Sequence, residues 1–135
     1  MSRSLLIKLS PLIKLSPLVA ALVLHTTANA SALAGEIDHL IAFVGESNCT
    51  FIRNGDNHSP AEAVEHMQKK YDYFRKKVDT AEQFIELSAS KSLLSGEPYW
   101  IACPGSEKQY SRTWLLNELA HYRVNKSRLN NNPES

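Results

Sequence analysis

Four stretches of the chain repeat apolar residues every three or four positions, the spacing that gives an α-helix one apolar face. We therefore predict four amphipathic helices. Their apolar positions are Ile37, Leu40, Ile41 and Val44 with Phe43 at the margin; Val64, Met67, Tyr71, Phe74 and Val78; Phe84, Ile85 and Leu87 or Ala89; and Trp114, Leu115, Leu119 and Tyr122.

The starts of the second and third helices carry capping signals. Ser59 precedes Pro60, and Glu62 follows at the third helical position, so that two side chains can bind amides that lack partners within the helix. Thr80 and Gln83 repeat the same spacing. The two helices are thus expected to begin directly after the serine and the threonine.

Between the helices, two runs rich in aromatic and branched residues, "CTFIR" and "PYWIAC", indicate short strands. Antiparallel pairing would place Cys49 opposite Cys103, and the alternation of a strand would put Phe51, Tyr99 and Ile101 on one face. The predicted fold is mainly α: a small four-helix domain with a short antiparallel β-ribbon, preceded by a signal-peptide helix.

The N-terminal segment has the layout of a secretory signal peptide, with basic residues, the short apolar core "PLVAALVL" and then small residues. Cleavage after Ala30 is preferred to cleavage after Ala34. An uncleaved anchor is disfavoured because the apolar core is far shorter than the roughly 18 residues that span a bilayer. We expect a signal peptide over 1–30, one helical domain over 31–125 and a disordered tail over 126–135, with no stable membrane span after cleavage.

The charge balance argues against nucleic-acid binding. Three of the 15 basic residues fall within 1–30, which leaves 12 against 14 acidic residues in the mature part. Binding to phosphates requires a basic face. We interpret the basic runs at 69–70 and 75–77 as the solvated side of a helix.

The two cysteines, Cys49 and Cys103, both lie in the exported part. In an oxidising compartment one disulfide is the simplest expectation, and two reduced thiols are the alternative. Metal binding by the pair is disfavoured because the chain has no Cys-x-x-Cys spacing.

Three sequence blocks carry a family resemblance. The blocks "FIRNGDNHSPAEAVEHM", "VDTAEQFIELSASKSLLSGEPYWI" and "CPG", in this order, resemble the YfeK-like family of small exported bacterial proteins, a domain of unknown function. The resemblance covers about residues 49–105 and a looser terminal helix. It implies an exported helical domain and no established activity, ligand or partner.

Four polar residues, Arg53, Asn54, Asp56 and His58, gather at a turn that leads into the second helix. Free amides and the helix dipole at a helix N-terminus favour an anion, so these residues form a candidate site for an anion or a partner. The competing interpretation is architectural. In that interpretation Arg53 pairs with an acidic neighbour, the Asn-Gly pair makes a tight turn, and Asp56 caps the helix together with the N-cap serine.

Enzymatic sites find weaker support in the sequence. His58, Glu62 and His66 recur at four-residue intervals, and two Glu-x-x-His pairs end at His39 and His121, a spacing used by di-metal carboxylate bundles. The helical period places His39 and His121 off the apolar faces, toward water. We therefore assign no metal ligand, cofactor or catalytic residue.

The favoured role is a non-catalytic binding or accessory module of the cell envelope, located in the periplasm, with another envelope protein or a glycan as its partner. Trp100 and Tyr99 would join the site if their side chains were exposed. If these aromatic side chains were buried, the site would consist only of the four polar residues at the turn. The alternative is a small hydrolase or metal-dependent enzyme that uses His58 or His66 with nearby carboxylates.

Overall fold

The described part of the chain folds into four α-helices and a small antiparallel sheet, which confirms the mainly α prediction. The computed structural model describes the backbone of residues 17–132 and the side chains of residues 27–132. The elements are α1 (Pro17–Glu46), β1 (Thr50–Arg53), β2 (Asp56–His58), α2 (Pro60–Phe74), α3 (Ala81–Ala89), β3 (Trp100–Ala102), β4 (Gln109–Tyr110) and α4 (Ser111–Asn131).

The predicted ribbon forms the centre of a four-stranded sheet with the strand order β2-β1-β3-β4. β1 and β3 run antiparallel, with Phe51 opposite Ile101, as the alternation of their residues predicts. The outer strands were not predicted. β2 has three residues and β4 has two, and such short strands offer no period-two pattern to read.

A disulfide joins Cys49, just before β1, to Cys103, just after β3. The strand register places the two cysteines on one rung of the sheet, and their Cα atoms are 4.2 Å apart. The expected disulfide is confirmed, and the alternative of two reduced thiols is wrong.

The turn between β1 and β2 is made by Asn54 and Gly55, whose φ angles are 50° and 85°. A two-residue hairpin turn of this type requires positive φ at both positions, which asparagine and glycine tolerate best. The chain therefore reverses into β2 before it enters α2.

Both predicted capping boxes are present. Ser59 and Glu62 exchange backbone and side-chain hydrogen bonds at the start of α2, and Thr80 and Gln83 do so at the start of α3. Because each box satisfies amides that the helix itself leaves unpaired, the two helix starts are fixed locally by the sequence.

The core lies among the four helices and the inner face of the sheet. It buries most of the predicted apolar positions and leaves Ile41, Phe43, Val64, Tyr71, Leu87 and Trp114 at its margin. The largest fully enclosed side chains, each less than 2% exposed, are Leu40, Val44, Phe84, Ile85, Ser88, Ile101, Leu115 and Leu119.

The last helix is longer than the sequence analysis expected. α4 continues to Asn131, where a disordered tail was expected from residue 126. The segment holds no helix breaker before Pro133, and the Asn132 amide donates to the last turn of the helix. The expected positive start, with Arg3, Lys8 and Lys14, falls in residues 1–16 and lies outside the described residues.

Within the described part of the chain, no helix is both long and apolar enough to cross a membrane.

Candidate functional site

The four residues of the predicted corner separate in the structure. Asn54 lies in the turn, where its Oδ1 accepts a hydrogen bond of 2.9 Å from Ser95 Oγ. Asp56 is exposed, and His58 Nδ1 lies 4.0 Å from a Glu62 carboxylate oxygen. The side chain of Arg53, in contrast, points toward the interior of the domain.

The N-terminus of α2 is already occupied by its own carboxylate. The Ser59 amide donates to Glu62 Oε2 over 2.7 Å, and the Glu62 amide donates to Ser59 Oγ over 3.3 Å. The hydrogen bond from the Ser59 backbone holds the pKa of Glu62 below its usual range. The Glu62 carboxylate therefore takes the place of the external anion that the sequence suggested at this helix N-terminus. Asp56 takes no part in the cap.

Arg53 lies two residues after Phe51 on β1, so both side chains point to the inner face of the sheet. They enter a narrow cavity of about 20 Å³ between β1, α2 and α3, which we call the Arg53 cleft. Its lining residues are Phe51, Arg53, Ala63, His66, Met67, Ser88, Ala89, Tyr99, Trp100 and Ser111.

Two buried side-chain atoms in the Arg53 cleft lack a hydrogen-bond partner among the described residues. They are Arg53 Nε and Ser88 Oγ, and Ser88 as a whole is 0% exposed. Buried polar atoms are nearly always paired because an unmet hydrogen bond costs on the order of 1–3 kcal/mol. Within residues 27–132, both residues that carry such an atom line the same cavity.

Arg53 also forms no ion pair with a carboxylate of the described chain. Its charge acts at longer range on Glu62, His66 and Lys70, whose pKa values it lowers. The expected ion pair of Arg53 with an acidic neighbour is absent from the described residues, and Glu62, the carboxylate that its charge reaches, is held in the Ser59 cap. The Arg53 guanidinium thus has no carboxylate in direct contact.

A histidine and a tyrosine close one side of the cleft. His66 Nε2 lies 3.1 Å from Tyr99 Oη, and the two rings meet edge to face. Burial, and after it the Arg53 charge, lowers the pKa of His66 to about 4, while burial raises the pKa of Tyr99. At neutral pH this pair is uncharged, and His66 is a weak base.

Lys70 adds a second cation behind the tyrosine. It is only 7% exposed, and its Nζ lies 5.1 Å from the centre of the Tyr99 ring. Burial, followed by the charges of Arg53 and Lys91, lowers the pKa of Lys70 to about 8. The interpretation of the basic run at 69–70 as a solvated face is wrong for Lys70 and right for Lys69, which is exposed.

The aromatic residues near the site are largely covered. Tyr99 is 7% exposed, and Trp100 is half-buried, with its ring tilted against that of Tyr110 at 4.1 Å between centres and Lys108 Nζ 4.5 Å from its own ring centre. Because Tyr99 is buried and Trp100 is already in contact with Tyr110 and Lys108, neither is a fully exposed aromatic side chain beside Arg53.

The histidines proposed for a metal site do not assemble. His39 was expected to face water, but its Nε2 lies 2.7 Å from Glu118 Oε1 and its ring stacks on Tyr122. His121 is exposed, as expected. Among the residues that the structure describes, no three histidine, cysteine or carboxylate side chains are placed to hold a metal ion.

A family model of unknown function, DUF5329, matches residues 31–123. The chain belongs to this family. It is also similar to the uncharacterized protein YfeK of Salmonella typhimurium strain LT2, with 41% identity over 85 residues, which are 60% of this chain and 71% of that protein. No solved structure matches the chain. The resemblance to YfeK-like proteins is confirmed.

The family match covers the whole Arg53 cleft, since all lining residues lie between 51 and 111. Sequence reasoning named Arg53, with Tyr99 and Trp100 as possible additions and His66 in the enzymatic alternative, but it did not name Ser88. Ser88 occupies the last turn of α3 with no exposed surface. The available signal was its spacing, four residues after Phe84 on the buried face of that helix.

Proposed function

We propose that this protein is an exported, non-catalytic binding module of the bacterial envelope that holds an anionic group of its ligand in the Arg53 cleft. The observation that carries the proposal is the pair of buried, unpartnered donors, Arg53 Nε and Ser88 Oγ, in one cavity. A buried guanidinium nitrogen without a hydrogen-bond partner is costly, and a bound anion would offset that cost.

The charges around the cleft favour the same ligand. The charges of Arg53 and Lys91 lower the pKa of Lys70, and Glu86, the acidic residue that opposes them there, already pairs with Arg112 and Lys91. A local excess of positive charge in a low-dielectric cleft attracts anions and repels cations.

Three features support export to the periplasm. The first thirty residues have the layout of a signal peptide, the domain is closed by a disulfide, and the family match begins at residue 31, directly after the preferred cleavage position Ala30. N-terminal sequencing of the protein from a periplasmic fraction should begin at Ser31. Recovery of the intact chain in the cytoplasm with free thiols would contradict export.

The anion-binding function is testable through the side-chain Nε–H resonance of Arg53. In a nitrogen–proton correlation spectrum of the protein purified from the periplasm, titration with acetate and, separately, inorganic phosphate should shift that resonance to saturation with at least one of them. The His66 ring signals should move with it, because the two side chains share the cleft.

The matched control is Arg128→Gln, which removes an exposed arginine of α4 far along the chain from the cleft. Arg53→Gln should abolish the saturable response, and Arg128→Gln should leave it unchanged. A linear drift of all arginine signals without saturation would show that the cleft binds neither anion.

A further inference from the structure

We propose that the anionic group recognised by the Arg53 cleft is a carboxylate, held side-on by Arg53 and reached by the hydroxyl of Ser88. This inference rests on the anion-binding function proposed above and names the chemical class of its ligand. Three independent features of the cleft support it: the edge of the guanidinium that is unpaired, the position of the serine, and the size of the space between them.

The unpaired atom of Arg53 is Nε, and it is buried. The Nε–H and one neighbouring Nη–H of an arginine point the same way and are spaced to match the two oxygens of a carboxylate. We place this edge of the Arg53 guanidinium against the carboxylate, to which it can form two parallel hydrogen bonds.

Ser88 supplies a second donor at the same cavity. It belongs to α3, whereas Arg53 belongs to β1, so two separate elements contribute polar residues to the lining of one cavity. Neighbouring Ser90 satisfies its hydroxyl by donating to the Ile85 carbonyl over 2.7 Å, but Ser88 Oγ has no such partner in the described chain. A carboxylate oxygen bound to Arg53 would complete this bond.

The space in the cleft suits a small planar group. A cavity of about 20 Å³ accommodates roughly one or two water-sized groups, which fits the two oxygens of a carboxylate better than the four of a phosphate or sulfate. Phe51, Ala63, Met67 and Ala89 provide apolar walls, against which the alkyl part of a carboxylic acid can pack.

A carboxylate can come from a free carboxylic acid or from the C-terminus of a peptide. Both present the same two oxygens, and they differ in the groups attached to the neighbouring carbon atom. Propionate represents the free acid, and N-acetyl-alanine represents the chain end; N-acetyl-alanine amide is the matched compound without the charge.

The experiment measures binding of acetate, propionate, N-acetyl-alanine, inorganic phosphate and sulfate by the Arg53 Nε–H resonance at one ionic strength. We expect saturable binding of the carboxylates, at least tenfold tighter than that of phosphate or sulfate, and no saturable response to the amide. A tighter complex with N-acetyl-alanine than with propionate identifies the peptide terminus as the source, and the reverse identifies the free acid. Either order supports the carboxylate.

The Ser88→Ala variant distinguishes a role of Ser88 in ligand binding from a role in the stability of the fold. Loss of one hydrogen bond to a charged group should weaken propionate binding about tenfold. The same change should raise the unfolding midpoint of the free protein, because it removes a buried hydroxyl with no partner. The exposed Ser106→Ala should alter neither quantity. Unchanged propionate affinity in Ser88→Ala would overturn the assignment of the serine.

The two proposals fail in different ways. If phosphate or sulfate binds as tightly as the carboxylates, the carboxylate inference is overturned and the anion-binding function stands. If no anion produces a saturable shift of the Arg53 signal, both are overturned.

Discussion

The ammonium nitrogen of Lys70 donates a hydrogen bond of 2.7 Å to the main-chain oxygen of Lys91. The bond joins the middle of α2 to the loop after α3, and it holds a positive charge beneath the surface beside Tyr99. A single carbonyl offsets part of the cost of burying an ammonium group, so the protein retains this charge at the expense of stability.

Replacement of this lysine should therefore stabilise the free protein. We expect Lys70→Met to raise the free energy of unfolding at pH 7 by about 1 kcal/mol, since the thioether fills the space without the desolvation cost. Lys69→Met, at the exposed neighbouring position, is the control and should change stability by less than about 0.5 kcal/mol. Urea unfolding measures both, and a destabilised Lys70→Met would show that the lysine serves the fold.

The same lysine should leave a signature in alkaline solution. Its folded pKa of about 8 lies below the usual 10.5, so between these values the unfolded state binds more protons and stability rises with pH. The raised pKa of Tyr99 acts in the opposite sense above pH 10, which restricts the useful window to pH 8–10. The rise should be present in Lys69→Met and absent in Lys70→Met.

The pattern of buried residues in α2 explains why the burial of Lys70 was not predicted. Its buried residues are Ala63, Met67, Lys70 and Phe74, which keep the helical spacing of four, three and four. The sequence pattern assigned the face correctly at Met67 and Phe74 but placed Tyr71 where Lys70 lies, because residue type favours the tyrosine as the buried one. A lysine can pack its methylene groups if its nitrogen finds an acceptor, and that acceptor, the Lys91 carbonyl, comes from distant chain.

His66 should make the protein sensitive to mild acid. Its folded pKa of about 4 lies below the usual 6.5, so the unfolded state takes up a proton first and stability falls as the pH drops from 6.5 to 4. The total loss from this group is at most about 3 kcal/mol. His66→Gln, which keeps a hydrogen-bonding group near Tyr99, should flatten the dependence between pH 6.5 and 5.

The exposed His121→Gln provides the control for that measurement and should retain the full dependence. Carboxylates with lowered pKa values, such as Glu62 and Glu82, contribute below about pH 4.5 in all three proteins. If the slope of stability against pH is unchanged in His66→Gln, a group other than His66 causes the acid sensitivity.

The disulfide should account for a large share of the stability of so small a domain. Cys49 and Cys103 are separated by 54 positions, and closure of such a loop in the unfolded chain is worth about 4 kcal/mol. The double change to alanine should lower the free energy of unfolding by that order, and reduction of the unaltered protein should reproduce the loss. A loss below about 1 kcal/mol in both would show that the sheet is held by its packing alone.

Features that depend on neighbouring residues were predictable, and features that depend on distant ones were not. The two capping boxes and the Asn54–Gly55 turn follow from residues within three positions of each other. That Ser88 Oγ and Arg53 Nε have no hydrogen-bond partner depends on how β1, α2 and α3 come together around one cavity. No periodicity in either segment reports that a polar atom will lack a partner.

Arg123 on α4 joins three helices, and its contribution can be measured by a double-mutant cycle. Its guanidinium bonds both carboxylate oxygens of Glu36 on α1, at 2.7 and 2.9 Å, and also bonds Glu82 on α3. These hydrogen bonds raise the pKa of Arg123 above its usual range. Because the arginine is 43% exposed, screening by water reduces the value of the pairs, and we expect a coupling energy with Glu36 of about 1 kcal/mol.

The cycle compares Arg123→Gln, Glu36→Gln and the double variant by urea unfolding. The coupling should fall by more than half at about 1 M salt, where charges are screened within a few ångströms. The exposed pair Arg75 and Asp72, within three residues of each other, serves as the reference and should couple by less than about 0.5 kcal/mol. The Arg75–Asp72 pair is local and does not contribute to the packing of one helix against another. Equal coupling energies in the two pairs would therefore show that Arg123 does not stabilise the packing of α1 against α4.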